Sequence, residues 1–109
     1  MQAPDRYDFQ FTPLSVSDIE EAMRYISDNL CNKPAAERLY HELEQTIDKI
    51  CLFPYAYADC SCYLIPDKTI RHIRVGNYIL IYEVIDENRM IHILRFRYAK
   101  MDFTNMDMK

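Results

Sequence analysis

One glycine stands in the whole chain, Gly76, and Asn77 follows it. The pair separates two apolar runs, Ile70-Arg71-His72-Ile73-Arg74-Val75 and Tyr78-Ile79-Leu80-Ile81-Tyr82-Glu83-Val84-Ile85. Two such runs split by a two-residue turn of this kind read as a β-hairpin. The second run is almost wholly apolar, the pattern of a central strand covered on both faces. Asp86-Glu87-Asn88-Arg89 supplies the next turn, and Met90-Ile91-His92-Ile93-Leu94-Arg95-Phe96-Arg97-Tyr98 the last strand. A sheet of this kind must bury its apolar face against another layer, and 109 residues suffice for one core. Residues 1–109 are therefore expected to form a single domain, with 103–109 as a tail.

The covering layer is legible upstream. Tyr7-Asp8-Phe9-Gln10-Phe11 alternates with period two and predicts a first strand. Thr12-Pro13 reads as an N-cap followed by proline in the first helical turn, and Ser17 with Glu20 offers a second capping box. Val16, Ile19, Met23, Ile26 and Leu30 then mark one helix face, with Asp18, Glu20, Glu21 and Arg24 outside it. Asn32-Lys33-Pro34 breaks and restarts the helix, and Ala36, Leu39, Leu43, Ile47 and Ile50 form the next apolar face. Phe53-Pro54 ends it, because a residue before proline avoids the helical region. Two helices joined by so short a break are expected to pack antiparallel. Residues 55–69 have no clean period; their tyrosines predict a loop docked by aromatics. The expected order is β-α-α-β-β-β, an α+β fold in which a twisted antiparallel sheet packs against an N-terminal helical hairpin.

Charge narrows the function. The chain carries net −4 overall, divided into −6 over residues 1–69 and +2 over residues 70–109. An acidic body with a basic C-terminal third is not a general nucleic-acid binder, since phosphate affinity scales with contacting cations. No apolar run approaches a membrane span, and no apolar segment follows the polar start Met1-Gln2-Ala3-Pro4-Asp5-Arg6, so a cytoplasmic location and no membrane partner are expected. Cys31, Cys51, Cys60 and Cys62 read as free thiols in a reducing compartment. Cys60-Ser61-Cys62 has no second ligand pair of metal spacing, so neither a metal nor another cofactor is expected.

The ordered blocks carry a resemblance. Thr12-Pro13 with Asp18-Ile19 and Tyr25-Ile26 come first, then Pro34-Ala35-Ala36-Glu37-Arg38-Leu39 with Ile47, Ile50 and Phe53-Pro54. Arg71 to Val84 and Ile91-His92-Ile93-Leu94-Arg95-Phe96, ending at Asp102, complete the set. Over roughly residues 7–102 the chain resembles the RelE/ParE superfamily, the toxins of bacterial type II toxin–antitoxin pairs, some known as plasmid stabilisation proteins. The resemblance implies a cognate antitoxin that folds its disordered C-terminal segment around the toxin. It also implies one of two targets. One branch cleaves mRNA on the ribosome; the other inhibits DNA gyrase and is not known for a catalytic centre of its own.

Cleavage of RNA needs a base for the 2′-hydroxyl, an acid for the leaving 5′-oxygen and cations for the developing phosphorane charge. The resemblance maps these roles onto Arg74, Tyr98 and Arg95. Tyr98 is the best single candidate, since Arg97 and Lys100 are the cationic neighbours that a tyrosine acid needs. The branch's terminal His-Tyr is Arg97-Tyr98 here, however, and an arginine cannot shuttle protons. The ending Leu94-Arg95-Phe96 through Lys100-Met101-Asp102 resembles the gyrase-directed branch, except that Tyr98 replaces a common histidine. The residues therefore lean towards gyrase inhibition, with mRNA cleavage as the alternative and a non-toxic antitoxin-binding module as a third reading. Arg71, Arg74, Arg95, Arg97 and Lys100 are the candidate contacts to target or nucleic acid, and Ile19, Met23, Leu39 and Leu43 those to antitoxin.

Overall fold

Thr12 turns the first strand into the first helix. In the computed structural model, which describes residues 6–56 and 69–100, strand β1 spans Asp8–Phe11 and helix α1 Pro13–Arg24. The Thr12 hydroxyl accepts from the Ser15 amide at 3.2 Å, and Pro13 occupies the first turn, where a missing N–H costs nothing. One wide turn of π-helix follows at Tyr25–Asn29. Cys31 then takes a left-handed conformation (φ 51°), and Asn32 caps helix α2, Lys33–Leu52, by accepting from the Ala35 amide at 3.1 Å. The helix stops at Phe53, ahead of Pro54, as the sequence predicts.

Strands β2 (Ile70–Val75), β3 (Tyr78–Ile85) and β4 (Met90–Tyr98) form the expected antiparallel meander. The sheet order is β1-β4-β3-β2. Here the structure departs from an all-antiparallel sheet, because β1 lies parallel to β4, pairing Asp8 with Met90 through Phe11 with Ile93. Both helices and two strands separate β1 from β4 in the chain, so no hairpin dictates its direction. Its C-terminal end is tied instead by Thr12, whose amide donates to the Ile93 carbonyl at 3.1 Å. The Thr12 hydroxyl lies 2.9 Å and 3.2 Å from the Ile93 and Leu94 carbonyls. At the same place β4 carries a bulge: Ile93 pairs with Tyr82 and Arg95 with Ile81, leaving Leu94 as the additional residue.

Side chains from both helices and from β2, β3 and β4 share the core. Leu43, Ile47 and Ile50 of α2 join Leu80, Tyr82, Ile91, Ile93 and Phe96 of the sheet, all nearly inaccessible. Burying each such side chain contributes about 1.5–3 kcal/mol. The helical segment keeps part of the face its apolar spacing predicts, with Ile19 in the core and Met23 and Ile26 packed against it, but α1 is rotated to bury polar and small residues as well. Ser15, Asp18, Ile19 and Ala22 are buried, whereas Val16 is 42% and Leu30 56% exposed. Small side chains at positions 15 and 22 let the helix approach β4 closely, and the carboxylate between them is neutralised, as described below. Among the described residues no helix is long and apolar enough to cross a membrane, and no group of three or more His, Cys, Asp and Glu could hold a metal ion. Cys60, Cys62, the tyrosines at 57 and 63, and the 103–109 tail lie outside the described residues.

Gly76 alone of the two turn residues takes positive φ (58°), which a type II′ hairpin turn requires at its first position. Its amide donates to the Glu42 carboxylate at 2.9 Å, tying the turn to α2. A Cβ placed there would lie 3.2 Å from the Leu39 side chain. Gly76→Ala is therefore expected to lower stability by about 1–2 kcal/mol through left-handed strain and crowding, measured as a shifted urea midpoint with an unchanged slope.

Candidate functional site

Strand β1 covers only the first half of the outer edge of β4, so the amides beyond Ile93 need other partners. Helix α1 supplies one. Asp18 Oδ2 accepts from the Phe96 amide at 3.1 Å, which places the carboxylate at the strand edge itself. Arg95 and Arg97 flank Phe96 on the opposite pleat. Arg95 donates from Nε at 2.7 Å and from Nη2 at 3.0 Å, and Arg97 from Nη1 at 3.1 Å, all to the same carboxylate. Asp18 is 6% and Arg95 8% exposed. Burial alone would raise the Asp18 pKa. The Arg95 hydrogen bonds, the Phe96 amide and the nearby guanidinium charges outweigh it and hold the carboxyl below its ordinary range.

This network contradicts the placement of Asp18 on the solvent face of its helix. The residue was missed because a carboxylate at helical spacing reads as surface. The available signal was the pairing of Asp18 with small neighbours at 15 and 22 and an Arg-Phe-Arg strand downstream.

The three residues assigned to cleavage are not brought together. Arg95 is held in the buried ion pair. Arg74 shares a sheet row with Ile79 and Arg97, and its Nε donates to the Gly76 carbonyl at 2.7 Å. Tyr98 lies on the next row, opposite Tyr78, so alternation sends it to the other face. There its ring meets Tyr78 edge-on at 5.7 Å, and Tyr78 stacks on Phe96 at 4.9 Å. Arg71 lies elsewhere again: its guanidinium stands 4.7 Å over the Tyr55 ring and donates to the Tyr55 carbonyl. The Tyr55 and Tyr7 hydroxyls both donate to Asp86 at 2.6 Å, joining the N-terminal strand, the end of α2 and the β3–β4 turn. Partial burial and the Asp86 bond push Tyr55 up to about 12. Lys100 is exposed at the end of the described chain.

Two surface depressions flank α1. One, of about 760 Å³, lies between the end of α1 with its π-turn and the start of β3 with the end of β4; Tyr25, Leu30, Tyr78, Arg97 and Tyr98 line it. The other, of about 220 Å³, runs between α1 and α2. Of the residues expected to contact antitoxin, Ile19 and Leu43 lie along this second groove, Leu39 is buried in the core and Met23 packs against it. Their burial makes Ile19, Leu39 and Leu43 core residues first. The accessible apolar surface belongs to Phe11, Val16 and Tyr40; of these the helix periodicity marked only Val16, and as an inward residue.

Residues 9–103 match the family model of the ParE toxin of the type II toxin–antitoxin system parDE. Among solved structures, a chain of the chromosomal ParDE toxin–antitoxin system from P. aeruginosa superposes with TM-score 0.68 at 11% identity, covering 88% of this chain and 99% of that one. A chain of the RelBE2 toxin–antitoxin complex from Mycobacterium tuberculosis gives TM-score 0.58 at 18% identity, with 85% and 98% covered. A search by sequence against curated proteins finds no match.

Asp18→Asn keeps the shape but leaves two arginines without their carboxylate, and is expected to cost about 3–5 kcal/mol in chemical denaturation. The wild-type contribution has a defined pH sign. Because the folded pKa is depressed, the stabilisation is complete above the unfolded carboxylate value of about 3.9 and is lost as pH falls through the lower folded one. The acid-side decline of the urea midpoint should therefore be shallower in Asp18→Asn than in wild type.

Proposed function

The chain belongs to the ParE toxins of type II toxin–antitoxin systems, and from that premise we propose that it arrests growth by acting on DNA gyrase in the cytoplasm. One observation carries the choice of target. The Arg95 guanidinium that a ribosome-dependent nuclease would use on the phosphorane is instead bound by Asp18 through two hydrogen bonds. The remaining cleavage candidates, Arg74 and Tyr98, stand on opposite pleats of the sheet. Neither has an imidazole or carboxylate of the same row beside it to take a proton, since Arg74 is aligned with Ile79 and Arg97, and Tyr98 with Tyr78 and Val75. Contact with a protein target needs no such assembly. Arg74 and Lys100, both exposed, are then contact residues.

A cognate antitoxin is the second partner. The groove between α1 and α2 is its proposed seat: Phe11, Val16 and Tyr40, each at least 40% exposed, rim an apolar floor. Exposed aromatic and aliphatic surface of this kind marks protein interaction. An amphipathic segment laying its apolar face there would cover it.

Induction of the chain alone, with pulse-labelling of DNA and protein synthesis in the first minutes, tests the target. DNA synthesis is expected to stop first, with loss of supercoiling by purified gyrase and no new mRNA ends. Tyr98→Phe removes only a proton donor and should leave growth arrest within about threefold. Prior arrest of protein synthesis, with mRNA cuts abolished by Tyr98→Phe, would overturn the gyrase assignment in favour of cleavage.

A further inference from the structure

The groove between α1 and α2 has a charge pattern as well as an apolar surface. Ile19 of α1 and Leu43 and Ile47 of α2 form its floor. Glu20 stands on the α1 side and Glu44 on the α2 side, one turn beyond Tyr40. Both glutamates are exposed, and the lining holds no lysine, arginine or histidine. The two carboxylates therefore face whatever lies between the helices, from opposite walls, with no cation in the lining to offset them. They also belong to residues 1–69, which carry net −6.

We infer that Glu20 and Glu44 are specificity residues that select a partner helix whose apolar stripe is bordered by lysine or arginine. This rests on the proposal that the groove seats the antitoxin, and it specifies the chemistry of the bound segment. The apolar floor supplies attraction to any amphipathic helix. The carboxylates distinguish among such helices: basic borders are attracted, acidic borders are repelled. Charges at a solvent-exposed rim act over about 8 Å at physiological salt and only about 3 Å at 1 M. The selection must therefore be salt-sensitive, while contact with the floor is not. Glu20 and Glu44 are exposed, so replacing them leaves the packing of the core cluster intact.

Synthetic amphipathic helical peptides with one common leucine stripe, bordered by lysine, glutamine or glutamate, are the probe. Titration of the full chain at 0.05–0.15 M salt is expected to rank them Lys above Gln above Glu, with about tenfold between the extremes. The ranking should collapse at 1 M salt. Glu20→Gln with Glu44→Gln should erase it, and Glu20→Lys with Glu44→Lys should invert it. Tyr40→Ala should weaken all three peptides alike, which identifies the groove as the place of binding. Equal affinities at low salt, or a ranking that survives the double glutamine variant, overturn the selection by Glu20 and Glu44 and leave the groove intact as a docking site. No binding by any peptide overturns the groove itself, and the selection with it.

Discussion

The carboxylate of Asp18 joins the two halves of the molecule. It caps a backbone amide at the edge of β4 and draws Arg95 and Arg97 to the same place. Without it, the strand edge beyond the end of β1 would carry an amide with no strand opposite, and two guanidinium groups would lose the carboxylate they share. Helix α1 therefore acts as a substitute for the missing part of the edge strand. This explains why its inward face carries serine, aspartate and alanine beside Ile19, where a helix packed on a flat apolar sheet would carry large apolar residues throughout.

The same interaction shapes the surface. With small and polar residues turned inward, the helix leaves Val16 and Tyr25 outward on its two flanks. One flank, with α2, becomes the acid-rimmed groove; the other, with the start of β3 and the end of β4, becomes the larger aromatic cleft. The strand arginine that cleavage would need is engaged by Asp18, which supports the proposed protein target.

Much of the fold was legible in the sequence because local rules and packing agree there. Gly76-Asn77 marks the hairpin turn, Thr12-Pro13 and Asn32 the helix starts, and Phe53-Pro54 the end of α2, each through its own backbone constraint. The family was legible from ordered blocks that span nearly the whole chain. Two things were not legible. The parallel direction of β1 depends on long-range bonds to Ile93 and Leu94, which no local pattern encodes. The burial of Asp18 depends on arginines 77 and 79 residues away, so helical periodicity alone assigned it to solvent. The candidate site inherits that error: Arg95 and Arg97 looked like surface cations only while Asp18 was out of view.

The central claim is that Arg95 holds the fold together and does not act on the target. The most direct test replaces the buried pair by apolar residues, Asp18→Leu with Arg95→Leu, and measures growth arrest on induction beside the urea midpoint of the purified chain. Replacing a buried ion pair by apolar groups of comparable volume is often neutral for stability, whereas removing one partner is not, and Arg97, with its side chain 23% exposed, can turn to solvent. The account predicts a folded double variant that still arrests growth. A double variant that folds with native stability and has lost all toxicity would contradict it, because Arg95 would then be needed for what the toxin does and not for what it is built from.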